Sequence, residues 1–315
     1  MSKKASRKQA HKNRGQAQPV APGEIGPRQP CPCGSGKRYK ACHGGTGAPA
    51  FVARPFEGLA SECDLVALRE LVPAATAPLA VSGTDRAVRL CSLLPMAAPA
   101  MVRESGEVWL GLQVQHQYGD PSRELAAVLE QALATEEPGI VTLPSHPGDG
   151  ARLQDLLVDQ PLDITVHEGF DYWVDDLDDS DGSMAAALEQ ANGAADPTAR
   201  LTSVEAAYWT SVGSKEHLRW VMPHPEDALL DALARLHAAG RTSVAEGSRL
   251  VGMFRAHGLL APVWDLPVGT GAEVLEDPAT AFADDLATTL AEGAELTPEE
   301  RSARAGLANR QVTIR

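Results

Sequence analysis

Three cysteines and a histidine fall within thirteen residues, as Cys31, Cys33, Cys42 and His43. Thiolate sulfur and imidazole nitrogen are preferred ligands of zinc, and a Cys₃His set completes a tetrahedral shell. The spacing is Cys-x-Cys, then eight residues, then Cys-His. A segment this short buries no core of its own, so the metal has to supply the folding free energy. Gly34 and Gly36 suit a backbone that wraps close to an ion, because glycine takes positive φ without a side-chain clash. Three thiolates on one Zn2+ leave a charge of about −1, and Lys37, Arg38 and Lys40 stand where they offset it. Four protein ligands leave no position for a substrate water, so the expected role of the ion is structural.

The stretch from Cys31 to Gly44 resembles the SEC-C motif, the small zinc-binding module at the C-terminal end of the bacterial protein-export ATPase. The likeness covers fourteen residues and extends to ligand types, ligand spacing, both glycines, the basic pair and Tyr39. It implies one zinc ion held by Cys31, Cys33, Cys42 and His43. It also implies a contact surface formed by Lys37, Arg38, Tyr39 and Lys40 for an export chaperone or a ribosome. The rest of the chain is similar to bacterial proteins that carry one such motif ahead of a domain of unknown function, and that likeness brings no activity with it. The motif lies near the start of this sequence, and no G-x-x-x-x-G-K-S/T phosphate loop occurs, so motor ATPase activity is not expected.

Charge is distributed unevenly. Residues 1–43 carry ten cations against one acid, Glu24, whereas residues 44–315 carry 18 cations and 41 acids, a net charge of −23. Lys215 is the only lysine beyond the first forty residues. A basic arm on an acidic body suits non-specific contact with nucleic acid phosphates, or with another acidic partner. The plainer alternative is a solubilising tail. The low apolar content and the prolines of residues 1–29 predict disorder there. The zinc knuckle is expected over 30–46, with Gly44 to Pro49 as a linker. The body is expected over 50–315, as one domain or as halves 50–182 and 183–315.

Helical spacing of leucines predicts helices over 64–72, 121–135, 184–191, 225–239, 278–293 and 298–307, with another near 152–158. Ser61 or Asp64, and Asp120, stand as caps for the first two. Strands are predicted over 87–96, 98–103, 107–115, 140–143, 162–166, 204–211 and 216–222. Another amphipathic helix is expected over 245–257, closed by Gly258, with a strand over 259–263 after it. The order hairpin, proline, acidic first turn, leucine-rich helix occurs at 98–135 and again at 203–239. The body therefore reads as α+β.

No dinucleotide loop, H-E-x-x-H or G-x-S-x-G occurs, and Gly269-Thr270-Gly271 lacks the third glycine of such a loop. The histidines are scattered, and Cys63 and Cys91 sit among leucines as small core residues. Asp175, Asp176, Asp178, Asp179 and Asp181 precede Gly182, but a calcium loop set on that glycine would begin at Leu177, so the pattern fails. A salt-sensitive contact of this run with the basic arm is a further expectation. The longest apolar runs are shorter than the ~18 residues of a membrane span, and no secretory signal pattern opens the chain, so a cytoplasmic setting is expected. These features favour a binding protein that meets a ribosome, a chaperone or another acidic partner, in protein export or quality control. The rival reading is an enzyme whose active site lies in the α+β body, with the zinc module used for targeting.

Overall fold

A computed structural model describes residues 28–31, 37–41, 51–115, 118–144, 147–174 and 183–314. Its order is α1 (Glu62–Glu70), β1 (Ala75–Pro78), β2 (Val88–Cys91), β3 (Ala100–Val102), β4 (Val108–Gly111), α2 (Pro121–Leu133), β5 (Gly139–Val141), α3 (Leu153–Leu156) and β6 (Thr165–Val166). There follow α4 (Ser183–Ala194), β7 (Thr198–Arg200), β8 (Ala207–Val212), β9 (Lys215–Trp220), α5 (Glu226–Ala238), β10 (Arg249–Ala256), β11 (Leu259–Leu266), α6 (Glu276–Leu290), α7 (Pro298–Ala308) and β12 (Gln311–Thr313). The class is α+β, with two six-stranded mixed sheets ordered β5-β3-β4-β2-β1-β6 and β12-β10-β11-β9-β8-β7. Among the described residues no helix is long and apolar enough to cross a membrane.

Helix α1 lies in the middle. Its residues Glu62 to Leu68 are all buried, although an amphipathic surface helix would bury only one stripe. Its buried residues share one core cluster with Ala77, Leu90, Ala100 and Leu110 of the first sheet and with Tyr208, Val221, Ala256 and Ala261 of the second. The opposite face of the second sheet carries Leu218, Trp220, Met253 and Trp264 under Leu229 and Leu233 of α5 and Phe282 of α6. The outer face of the first sheet presents Cys91 and Trp109, which Phe170 and Tyr172 cover.

Local sequence accounts for several element ends. Gly106 and Gly213 take φ of 83° and 61° in the two predicted hairpin turns, where a side chain would be strained. Thr297 and Glu300 form a capping box at the start of α7: Glu300 N–H donates to Thr297 Oγ1 at 3.2 Å and Thr297 N–H to Glu300 Oε2 at 2.8 Å. The end of α2 is closed from a distance. Arg86 donates to the carbonyls of Ala132, Leu133 and Thr135 at 2.7–3.1 Å, the last of these beyond the helix.

Other expectations fail for identifiable reasons. Asp120 holds the N-cap position of α2 but makes no capping bond, because Arg152 takes its carboxylate at 3.0 and 3.2 Å. Ser61 likewise precedes α1 without capping it and accepts from Leu162 N–H at 2.8 Å. Residues 249–256 form β10, where a helix was expected. A register shift between Leu250 and Gly252 puts both Leu250 and Met253 on one face, imitating helical i, i+3 spacing inside a strand. The next two residues, His257 and Gly258, both have positive φ, 48° and 81°, and close a two-residue hairpin into β11. The hairpin-then-helix unit does recur, as β3–β4 with α2 and β8–β9 with α5. The following strands are wired differently: β5 pairs with β3, the first strand of its hairpin, whereas β11 pairs with β9, the second.

Candidate functional site

The described part of the amino-terminal module is a closed turn. Pro30 and Arg38 form an antiparallel bridge. Cys31 N–H donates to Lys37 O and Tyr39 N–H to Gln29 O, both at 2.8 Å. These bonds set residues 29–31 alongside 37–39, and a 3₁₀ turn, Tyr39–Ala41, follows. Cys31 is buried at 3% exposure, whereas Lys37, Arg38 and Lys40 are exposed and Tyr39 is half-buried. Cys33, Cys42 and His43 lie outside the described residues, as do the basic arm and the run 175–181. No group of three metal-ligating side chains stands together among the described residues.

Charged groups concentrate at the seam between the sheets. Arg54 holds Glu62 with two bonds, at 2.5 and 2.7 Å, a bidentate pairing that fits the planar guanidinium. Asp64 is 3% exposed. It accepts from Tyr208 Oη at 2.7 Å and from Arg200 Nη2 at 3.1 Å. Burial first, and the Asp64 charge next, push the Tyr208 hydroxyl well above its ordinary pKa. Burial alone would lower Arg200, but its hydrogen bond to Asp64 and that carboxylate's charge outweigh it and hold the guanidinium above its usual value. Burial also raises Glu205, with Asp64 adding to the effect. At the other end of α1, Arg69 donates to Val114 O at 3.0 Å and its Nε lies 3.0 Å from His257 Nε2. That imidazole nitrogen is 2.7 Å from Glu70 Oε1, and its ring packs on Phe56 with centroids 5.7 Å apart.

Cys63 and Cys91 are core residues, as expected, and the described histidines stand in separate surroundings. Burial pushes the Cys63 and Cys91 thiols far above their ordinary pKa, which leaves them un-ionised among core side chains. The histidines stay apart: His167 meets Thr76, His217 meets Asp265 and His257 meets Glu70. His116 and His146 lie outside the described residues. The backbone N–H groups of Gly269 and Gly271 point at the Glu216 carboxylate, which also accepts from Trp209 Nε1 at 2.7 Å. The glycine loop is thus filled by an internal carboxylate where a nucleotide would need a phosphate. The seam cluster was invisible to local reading, since Asp64 and Arg200 are 136 residues apart.

Glu276 does similar work at the start of α6. It accepts from the Thr202 and Ser203 N–H groups at 2.9 and 2.8 Å. Burial opposes its charge, but the hydrogen bonds from Ser203 and Thr202 outweigh burial and bring the carboxyl to about 2, from 4.5. A folded-state pKa below the unfolded one gives stability that is complete above the unfolded value and disappears as pH falls through the folded value. Glu276→Gln is expected to cost about 1 kcal/mol near neutrality. Its stability is also expected to fall less than that of the parent between pH 4.5 and 2. Urea unfolding across that range checks this, and parallel curves for the two proteins would refute it.

The family model described as "Family of unknown function (DUF5926)" matches residues 55–315, and the SEC-C motif model matches residues 28–45. The protein translocase subunit SecA of Rubrobacter xylanophilus is 69% identical over 26 residues, 8% of this chain and 3% of that protein. The SecA of Campylobacter hominis is 67% identical over 27 residues, 9% of this chain and 3% of its own length. This chain therefore spans only a small fraction of those relatives. No solved structure matches it.

Proposed function

The chain belongs to the family of unknown function (DUF5926), and we propose that it acts as an interaction protein through the SEC-C module ahead of that domain. In this reading Cys31, Cys33, Cys42 and His43 hold one structural Zn2+. The module and the basic arm then engage a ribosome, a chaperone or another acidic partner, in protein export or quality control. The observation that carries the reading is the turn itself, which buries Cys31 and leaves Lys37, Arg38 and Lys40 exposed around Tyr39. A cytoplasmic setting suits it, because thiols stay reduced there and remain available as ligands.

The two basic elements have different tasks. Lys3, Lys4, Arg7, Lys8, Lys12 and Arg14 supply charge, which raises encounter rate and general affinity and is screened by salt. Nucleic acid contact through them is non-specific. Arg38 and Tyr39 are held by backbone bonds, so their directions select the partner; arginine and tyrosine are frequent interface hot spots. The test is a pull-down with the intact protein and with a form lacking residues 1–46. Neutralising the arm is expected to weaken capture and flatten its salt dependence. Arg38→Ala with Tyr39→Ala is expected to remove selectivity while zinc stays bound. Unchanged capture by that zinc-loaded double variant would show that the turn only scaffolds the metal.

A further inference from the structure

The face of the second sheet that looks toward α1 changes character along its strands. Near α1 it is apolar, with Val221 and Ala261 in the shared core. One row further come Arg200, Tyr208, Arg219 and Val263, in register across β7, β8, β9 and β11. Beyond that, Thr198, Thr210, His217, Asp265 and Arg249 form a continuous row across five strands. Side-chain distances confirm that this row shares one face. Thr198 Oγ1 lies 3.3 Å from Thr210 Oγ1, His217 Nδ1 lies 3.1 Å from Asp265 Oδ1, and Arg249 Nη2 lies 3.6 Å from Asp265 Oδ2.

Arg219 stands apart from the other seam arginines. Arg54 and Arg200 each hold a carboxylate. Arg219 has none within ion-pair distance among the described residues, and its one contact is a long 3.5 Å bond from Nη1 to Leu71 O. Burial depresses its pKa, and the charge of Asp196 only partly opposes this. A half-buried guanidinium has lost hydration and gained little in return, which is costly unless an anion completes it. Beside it, His217 Nδ1 is buried and lacks a hydrogen-bond partner, because the Asp265 contact has ion-pair distance but not hydrogen-bond alignment. Arg249 draws on the same Asp265 carboxylate and reduces its repulsion toward an incoming anion. The His217 and Asp265 side chains keep 17% and 28% of their surface exposed, so the shelf is open to a ligand.

We propose that this shelf binds the oxyanion group, phosphate or carboxylate, of a small molecule, with Arg219 as the anchor and the His217 imidazole beside it. The planar fork of arginine matches both oxyanions, which is why arginine rather than lysine suits such a position. The proposal concerns the body alone and does not depend on what the amino-terminal module binds.

Calorimetric titration of the full zinc-loaded chain with inorganic phosphate, and separately with acetate, tests it. At least one is expected to bind saturably at one site per chain, and the stronger of the two identifies the ligand class. Arg219→Gln is expected to weaken that binding by about tenfold or more, and Arg249→Gln by much less. Arg219 also closes the end of α1 through Leu71 O, so Arg219→Lys serves as the second variant. It keeps the charge and loses the fork, and should bind more weakly than the parent. Binding that is equal in the parent and both Arg219 variants belongs to the basic arm and overturns the proposal. So does a parent chain that takes up neither anion at about 10 mM, the range of weak single-site affinities.

Discussion

Asp64→Ala is expected to lower the unfolding free energy by about 3–5 kcal/mol, because it leaves one side of a buried ion pair without its partner. Asp64, on α1, has a side-chain exposure of 4% and meets both Arg200 and Tyr208, which belong to the second sheet. After truncation the Tyr208 hydroxyl remains where water reaches it poorly, and the Arg200 guanidinium stays half-buried at 26% side-chain exposure. The loss therefore includes their desolvation as well as the bonds themselves. Two comparisons make the expectation specific. Asp231→Ala removes a partner of Arg304 at a side-chain exposure of 37%, and a pair of that kind is worth about 1 kcal/mol or less. The double change Asp64→Leu with Arg200→Met removes both charges, and should recover much of what Asp64→Ala loses. Denaturant unfolding of the three variants and the parent measures these differences. A loss below about 1 kcal/mol for Asp64→Ala would mean that water penetrates the seam and screens the pair.

Purified protein is expected to carry one zinc per chain, and Cys33→Ser to abolish it, since three remaining ligands do not close a tetrahedral structural site. Cobalt substitution should give the absorption of tetrahedral thiolate ligation in the parent only. Chelation should expose the amides of Cys31 and Tyr39, which now donate to Lys37 O and Gln29 O. The body should keep its unfolding transition, because its two sheets are joined through α1 and the seam pairs and no metal-ligating cluster stands among its described residues. Metal analysis, hydrogen exchange and thermal unfolding read the three parts separately. Full zinc content in Cys33→Ser would remove the ligand assignment, and collapse of the body on chelation would show that the metal supports more than residues 31–43.

By itself the sequence determined what short-range physics controls. The ligand spacing at Cys31, Cys33, Cys42 and His43 is a local pattern, and so is its likeness to the SEC-C motif, which the family comparison bears out over residues 28–45. Helices α2, α5 and α6 were legible from apolar residues repeating within one or two turns, and α7 from its Thr297–Glu300 capping box. The hairpin turns at Gly106 and Gly213 were legible because positive φ selects glycine. Tertiary structure alone decided the rest. The bulge at Leu250 and Gly252 disguised β10 as a helix, and only its pairing with β11 and β12 made it a strand. The short strands β1, β7 and β12 carry three or four residues each and have too little pattern to stand out; they exist because neighbouring strands offer partners. Asp64 looked like a helix cap and became the centre of a buried pair, and nothing in the residues next to it marked Arg219. Their roles depend on which distant groups the fold brings close and on how much water it removes, and neither quantity is written in the residues beside them.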